Sequence, residues 1–584
     1  MNSLLIYNRN VANQLAIDFK KQLGTTYNFQ IGKQELLNPD FSVDDKINTI
    51  LLSEIENKKY NAIFIPFSLS DDNYIEFIGL RFAFHIRLTP DFNNVQTPIL
   101  FYGFDRAEEV NKLTNSGSIL YSKNVFTTDK ISTDSFRKQI EYVSKQHKEI
   151  DNIDFIKHFL IRNIVSPSGN YATHHSITNE WSIYRWAKAL KIENDQINQI
   201  NKTIGSNLYF KYLKAKYPVI EVTDTINRLA NWDRGRILFI DDEIEKGWGA
   251  IFENICQGWD IVSRNILREK IKYESFGAEF KNWDTQTIMD KTIEKVKAFN
   301  PDVVILDFRL HDDDFEVAKP EQVTGYKLLK QIKEINQGIQ VIILSATNKI
   351  WNLIDLQKAG ADGFIMKESP ELSIDEDYSK NALRRIYEEI NDKLGRKFLK
   401  TIFSSIQEIR HRINLTTYPE DFREELKNQF QLFWNMIINA NTDIQFAYSY
   451  ITLYMVIELI NKQLIQNIDD KWGIINSGML LDWYWDKTQN EYKNTGVEVI
   501  GIKPPEWQKM AGLYFQKWQG TDHQFIRNIS SFITKRNGFV HNDRNILDRQ
   551  HEITGKYVNH DIYTPKGILS LFETIVNIIN LCVE

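Results

Sequence analysis

Five side chains with complementary chemistry stand at the ends of short apolar runs in the middle of the chain. Apolar runs of this length, bounded by polar residues, predict buried strands. Open α/β folds place their ligands outside the carboxyl ends of parallel strands. Polar residues that follow successive predicted strands therefore predict one site at one edge of the sheet. The five are Asp241 and Asp242 after residues 237–240, Asp307 after residues 303–306, Ser345 after residues 341–344, and Lys367 after residues 364–366.

These residue types suit phosphoryl transfer to a carboxylate. A carboxylate that attacks a phosphoryl donor meets charge repulsion, which oxygen-bound Mg²⁺ and a nearby ammonium group relieve. The product, an aspartyl phosphate, is a covalent form that this side chain can take. Any one of the acids alone would be interpreted as a solvated strand end, but the joint pattern favours a site.

The pattern resembles the receiver domain of bacterial response regulators over about residues 235–375. The resemblance implies a flavodoxin-like, doubly wound α/β domain whose phosphorylated residue is Asp307. It also implies that Asp241 and Asp242, together with Asp307, hold Mg²⁺. A histidine kinase or a phosphotransfer protein would then be the partner that supplies the phosphoryl group.

The same resemblance assigns the remaining residues of the site. Ser345 would bond a phosphoryl oxygen, Lys367 would pair with the phosphoryl group, and Phe364 would be the switch aromatic. Two features depart from the family: Glu368 stands where many receivers have proline, and residues 311–314 make the loop after Asp307 long and acidic.

Residues 1–130 have a similar alternation of apolar runs and helical segments. Asn8 and Arg9 stand where Asp241 and Asp242 stand in the central domain, and Pro66 stands where Asp307 stands. This unit is therefore predicted to be a degenerate, receiver-like α/β domain that forms no aspartyl phosphate. Residues 131–232 are predicted to be largely helical.

Composition narrows the class of protein. The chain of 584 residues should hold several domains, and its 42% hydrophobic and 25% charged content is typical of a soluble protein. The net charge of −6 gives no global basic field that would indicate nucleic-acid binding. Two cysteines, and an N-terminus without signal-peptide character, predict a cytoplasmic protein without disulfides. No segment is predicted to span a membrane.

The chain is predicted to be helical after the central domain, with a linker helix over residues 376–400 and an all-helical domain over residues 401–584. A helix in this domain runs into Arg536 and Asn537, and His541 follows. The spacing resembles the R-x4-H motif of the HEPN superfamily. The resemblance implies a metal-independent endoribonuclease whose catalytic residues are Arg536, Asn537 and His541, or a non-catalytic relative. Active members of the superfamily usually dimerise.

The residues themselves fit RNA cleavage. Histidine is suited to proton transfer near neutral pH, and arginine pairs bidentately with phosphate oxygens. The leading hypothesis is a homodimeric response regulator whose phosphorylation gates a ribonuclease, in stress response or phage defence. The alternative is a signalling adaptor whose helical domain only binds a partner. A transcription regulator ranks last, because the chain has no helix-turn-helix signature.

Overall fold

The computed structural model describes residues 2–8, 13–32, 35, 38, 41–69, 77–167, 174–219, 235–257, 271–317, 319–346, 350–375, 377–540 and 564–583. Within these residues the chain forms two parallel five-stranded sheets with helices, followed by a largely helical region. None of the helices in this part of the chain is long and apolar enough to cross a bilayer.

The first sheet has the strand order β2-β1-β3-β4-β5, with all neighbours parallel. Its central strands are buried apolar runs, as expected when helices cover both faces of a parallel sheet. The strands are β1 (Ser3–Tyr7), β2 (Gly24–Asn28), β3 (Ile63–Pro66), β4 (Ile99–Tyr102) and β5 (Val125–Thr128). The helices are α1 (Asn13–Gln22), α2 (Val43–Ile50), α3 (Ile78–Arg87), α4 (Ala107–Leu113) and α5 (Thr133–Gln146).

A helical segment follows the first sheet. Its helices are α6 (Asn152–Arg162), α7 (His174–Leu190), α8 (Asp195–Ser206) and α9 (Leu208–Lys216). One buried carboxylate ties this segment to the first unit. Asp44 of α2 accepts hydrogen bonds from His85 at 2.8 Å and from the backbone amide of Leu208 at 2.8 Å. The segment therefore packs on the first unit through a specific polar contact.

The buried His85 should make folding stability depend on pH. Burial lowers the pKa of His85 to about 4, although the Asp44 carboxylate opposes the shift. An unfolded histidine titrates near 6.5, so the unfolded chain binds more protons between these values and stability falls as pH falls. We expect a loss of about 3 kcal/mol from pH 7 to pH 4 from this group alone. Urea unfolding at pH 7 and pH 4 measures the loss in the free energy of unfolding. The comparison is with His85→Gln, which keeps an N–H donor, and only the wild type should lose the part that comes from His85.

The second sheet has the order β10-β9-β8-β6-β7, again with parallel neighbours. Read from the other edge, this order matches that of the first sheet. The strands are β6 (Gly235–Ile240), β7 (Ile271–Phe276), β8 (Val303–Asp307), β9 (Gln340–Ser345) and β10 (Gly363–Met366). The helices are α10 (Trp248–Gln257), α11 (Thr285–Phe299), α12 (Thr324–Ile335), α13 (Ile350–Lys358) and α14 (Tyr378–Gly395).

Helix α14 lies in the stretch predicted as a linker, and it packs on the second sheet. Leu383, Ile386 and Ile390 are buried in the same core as Ile305 and Leu344 of the sheet. The apolar residues recur every three or four positions, so one face of the helix meets the sheet.

The C-terminal region is helical, as predicted, but it also contains short antiparallel strands that the sequence analysis did not predict. Its helices are α15 (Phe398–Leu415), α16 (Glu420–Ile437), α17 (Asp443–Leu464), α18 (Glu506–Gly512), α19 (His523–Val540) and α20 (Pro565–Val583). Its strands are β11 (Ile465–Ile468), β12 (Lys471–Ile474), β13 (Gly478–Met479), β14 (Leu481–Asp486) and β15 (Glu491–Glu498).

The C-terminal region docks on the second α/β unit near the amino ends of its strands. Asn336 donates a hydrogen bond to the Ser404 hydroxyl at 2.9 Å, and Lys400 pairs with Asp302 at 2.8 Å. Gly338 lies so close to α15 that an added Cβ would come within 2.3 Å of the Leu399 carbonyl carbon. This contact lies at the sheet edge opposite the carboxyl ends of the strands.

Candidate functional site

The second sheet brings its strand-end residues together by register. Ile240 pairs with Leu306, so Asp241 and Asp307 leave neighbouring strands at the same level. Asp307 pairs with Leu344, and Met366 pairs with Ser345. The backbone amide of Lys367 donates to the Ser345 carbonyl at 2.8 Å. Segments far apart in the sequence therefore converge at one edge.

The acidic residues form a compact cluster. Asp241, Asp242 and Asp307 each offer a carboxylate oxygen, and these oxygens lie within 4.8 Å of one another. The Lys367 ammonium group is 3.4 Å from Asp307 and 3.6 Å from Asp241. One oxygen of the fully buried Asp241 has no hydrogen-bond partner. A hard cation that prefers oxygen ligands, such as Mg²⁺, fits this donor set.

Electrostatics in the cluster favour a cation. Burial and the charges of Asp241 and Glu243 raise the pKa of Asp242 to about 7. Burial likewise raises the pKa of Asp307, against the opposing effect of Lys367. Burial disfavours the charge on Lys367, but the surrounding carboxylates outweigh it and raise the pKa of Lys367. The ammonium group therefore stays charged, and one lysine balances only part of the acidic charge.

Access to the cluster is narrow. Asp307 is 3% exposed, and one of its oxygens accepts a hydrogen bond from the Phe308 backbone amide at 2.8 Å. Ser345 is buried as well, whereas Phe364 on β10 is half-buried against the core beneath the sheet. Asp307 and Ser345 therefore present little surface to solvent.

The long acidic loop after Asp307 does not join the cluster. Asp314 is buried and accepts hydrogen bonds from the backbone amides of Leu310 and Thr324, both at 2.9 Å. Its role in this structure is to hold the loop onto the start of α12. Among the described residues, only the three strand-end acids lie close enough together to share a metal ion.

Two family models match the chain, and both describe receivers. The model for the inactive receiver domain matches residues 15–128, and the model for the response regulator receiver domain matches residues 262–377. The chain carries two receiver-type domains. The predicted degenerate receiver near the N-terminus is thereby confirmed, and the matches support a two-component response regulator. Strand β6, with Asp241 just after it, precedes the second matched range but belongs to the same sheet.

Solved receiver structures resemble parts of the chain. A CheY-like receiver from Methanospirillum hungatei JF-1 is 20% identical and covers 28% of this chain and 97% of its own, with a TM-score of 0.17. The Francisella response regulator 1452 receiver domain is 19% identical and covers 26% and 99%, with a TM-score of 0.16. No curated protein matches the sequence.

In the inactive receiver, other residue types stand at the positions of Asp241 and Asp307. Asn8 is buried after β1 and donates to the Ser68 carbonyl at 3.4 Å, and Pro66 ends β3. Arg9 lies outside the described residues. An amide and a proline are neither nucleophiles nor strong metal ligands, so these two positions lack the carboxylates that Asp241 and Asp307 supply in the second sheet.

Three side chains near the acidic cluster were not predicted as site residues. Glu243 raises the pKa of the neighbouring acids, and the Trp248 ring lies 4.8 Å from the Lys367 ammonium group. Glu368 is completely buried. Adjacency to Asp242 and Lys367 was a signal for Glu243 and Glu368, but nothing in the sequence marked Trp248.

The residues of the R-x4-H motif are only partly described. Arg536 pairs with Glu458 of α17 at 3.2 Å and donates to the Asn537 side chain at 2.9 Å. Its guanidinium lies over the Tyr454 ring at 5.4 Å. His541 lies outside the described residues. The side chains of Arg536 and Asn537 thus contact each other on α19. The Nε of Arg536 is buried and has no hydrogen-bond partner among the described residues.

Proposed function

We propose that this chain is a response regulator in which phosphorylation of Asp307 controls a HEPN-like ribonuclease in the C-terminal region. The observation that carries the first half is the convergence of Asp241, Asp242, Asp307 and Lys367 at one sheet edge. Carboxylates and an ammonium group in this arrangement suit the transfer of a phosphoryl group to an aspartate.

The transfer step is a displacement at phosphorus. A carboxylate oxygen of Asp307 forms a bond to phosphorus, the bond between phosphorus and the donor's histidine nitrogen breaks, and the imidazole leaves neutral after taking up a proton. Mg²⁺ held by the three acids would neutralise phosphoryl oxygens. Lys367 supplies a positive charge beside Asp307. The Ser345 hydroxyl donates a hydrogen bond to a phosphoryl oxygen, and the Phe364 ring repacks when Ser345 moves toward the phosphoryl group.

The proposed output site follows from Arg536, Asn537 and His541. In RNA cleavage the 2′-oxygen bonds to the adjacent phosphorus while the bond from phosphorus to the 5′-oxygen breaks. His541 takes the 2′-hydroxyl proton, and the 5′-oxygen gains a proton from water or from a second acid. Arg536 pairs with the phosphate oxygens as negative charge builds, and Asn537 orients the guanidinium that it already accepts from.

Homodimerisation is proposed from an exposed apolar surface beside Arg536. Ile444, Tyr448 and Met455 of α17 are exposed at spacings that place them on one side of the helix, and the ring of Phe539 meets Tyr448 at 5.8 Å. A second copy covering this surface would bring two Arg536 side chains toward each other. Light scattering should report a dimer for the wild type and a monomer for Tyr448→Lys, because a buried unpaired ammonium group opposes association. A monomeric wild type would exclude the dimer.

One experiment separates the ribonuclease from the alternative, a signalling adaptor. Purified chain is incubated with total RNA, with and without acetyl phosphate and Mg²⁺. Cleavage that changes with phosphorylation and leaves 2′,3′-cyclic phosphate ends supports the ribonuclease. Intact RNA in every state, with RNA from several sources, supports the adaptor. The exposed apolar surface around Tyr448 favours the adaptor as the second candidate, because it also suits a protein partner.

A further inference from the structure

Glu368, the residue after Lys367, is buried in a dense set of hydrogen bonds. Arg185 of α7 donates to one of its carboxylate oxygens at 2.5 Å, and the Trp186 indole donates to the other at 3.1 Å. The hydroxyls of Ser373 and Ser379 each donate at 2.8 Å. Every member of this set is buried, so its geometry is fixed on all sides.

Arg185 links this carboxylate to the helical segment. Its side chain is fully buried, and it also donates to the Tyr217 carbonyl at 2.7 Å. On the same helix, the Ser182 hydroxyl donates to the Glu368 backbone carbonyl at 2.8 Å. A buried charge pair tolerates little displacement, because either partner alone would be an uncompensated charge. The loop that carries Lys367 is therefore held to α7 through both side chain and backbone.

The same helix also contacts the loop that carries the acids. Asn179 donates to the Glu243 carboxylate, two residues after Asp241. Trp186 packs edge-on against Trp248, with ring centroids 5.4 Å apart, and the Trp248 ring in turn lies against Lys367. One helix outside the receiver thus contacts both loops from which the charges of the phosphorylation site project.

We propose that Arg185 and Glu368 are positioning residues for phosphoryl binding at Asp307, acting through Lys367. This inference rests on the proposed phosphorylation of Asp307. With the ion pair intact, the Lys367 ammonium group is held at the distance from Asp307 where it meets a bound phosphoryl group. Without the pair, the segment after β10 is free to shift, and Lys367 meets that group less often.

The helical segment also connects the two receivers. Helix α7 belongs to the segment whose α9 begins at the hydrogen bond from Leu208 to Asp44, inside the inactive receiver. A change in the inactive receiver that moves this segment would alter the affinity of the second receiver for a phosphoryl group. Such coupling is reciprocal, since phosphorylation must then alter the segment by the same free energy.

Beryllofluoride, a phosphoryl mimic, gives the test on the full-length chain in Mg²⁺. The affinity of the chain for beryllofluoride is measured by calorimetry. Tryptophan fluorescence gives a second readout: the part of the change on binding that is lost in Trp248→Phe comes from the ring beside Lys367. We expect Glu368→Gln and Arg185→Lys each to weaken the affinity by roughly tenfold, and the double variant to weaken it no further, because the pair acts as a unit.

The matched control is Lys509→Met. Lys509 is another buried cation, paired with Glu506 at 2.6 Å in the C-terminal region, away from the phosphorylation site. The substitution should lower thermal stability without changing beryllofluoride affinity. If Glu368→Gln does not fold, Arg185→Lys carries the test alone, since it keeps the buried charge.

The outcomes are distinguishable. Unchanged affinity in the folded Arg185 and Glu368 variants, with only lower thermal stability, would reduce the ion pair to a structural contact and overturn the inference. A wild-type chain that binds no beryllofluoride would overturn both the inference and the proposed phosphorylation. Binding that persists in Asp307→Asn would move the phosphoryl site elsewhere and overturn both as well.

Discussion

The Asp307→Asn variant should take up no phosphoryl group from acetyl phosphate in Mg²⁺, under conditions that phosphorylate the wild-type chain. An amide is not a nucleophile toward phosphorus, and it is a weaker ligand for Mg²⁺ than a carboxylate. Lys367 would also lose one of its two close carboxylates. Intact-mass spectrometry of the two proteins measures the effect, which should be a complete loss of the phosphorylated species.

Asp313→Asn is the control for this variant. Asp313 lies in the loop after Asp307 and its side chain is mostly exposed, so the substitution makes the same change in charge outside the cluster. It should leave phosphorylation unchanged. Labelling that persists in Asp307→Asn would show that another residue accepts the phosphoryl group. Because Asp307 is only 3% exposed, we expect the wild-type reaction with acetyl phosphate to be slow.

The receiver site was predictable because two simple patterns agree. Apolar runs predict the strands, and parallel register forces their carboxyl ends to one edge, so Asp241, Asp307 and Lys367 had to approach one another. The same logic identified the inactive receiver, in which Asn8 follows the first strand and Pro66 ends the third. In both cases the local pattern and the global topology point to the same answer.

The contact between α7 and the receiver was beyond sequence reasoning. Arg185 and Glu368 are separated by 183 positions and come from different units. A single sequence holds no periodicity that pairs them. Glu368 was noted only as a departure from the family pattern, and its partner becomes apparent only when the two units are packed together.

The antiparallel strands of the C-terminal region did leave a signal. Trp483 and Trp485 alternate with polar or more exposed neighbours, which is the period of a half-buried strand. Asn490, with a positive φ of 56°, makes the turn into β15. The long helices on either side dominated the pattern of this region, so the short hairpin between them was overlooked.

Arg536→Ala should lower RNA cleavage by roughly 100-fold or more, the effect of removing one preorganised group that stabilises charge in a transition state. The Arg536 guanidinium is already held in one orientation, because it contacts Glu458, the Tyr454 ring and the side chain of Asn537. The pair with Glu458 is partly exposed, so its loss should cost no more than about 1 kcal/mol of stability. Because the variants are compared at equal concentrations of folded protein, a large loss of activity would reflect chemistry and not unfolding. Cleavage of a labelled RNA at equal concentrations of folded protein measures it.

Lys535→Ala is the matched control, because it removes one positive charge from the adjacent position of the same helix. General electrostatic attraction of RNA predicts similar, modest losses for both variants, and these should shrink as salt is raised. A role for Arg536 in the chemical step predicts a loss confined to Arg536→Ala that persists at saturating RNA. If Arg536→Ala cleaves as well as the wild type, the HEPN assignment fails. The C-terminal region is then better explained as the partner-binding half of a phosphorylation-controlled adaptor.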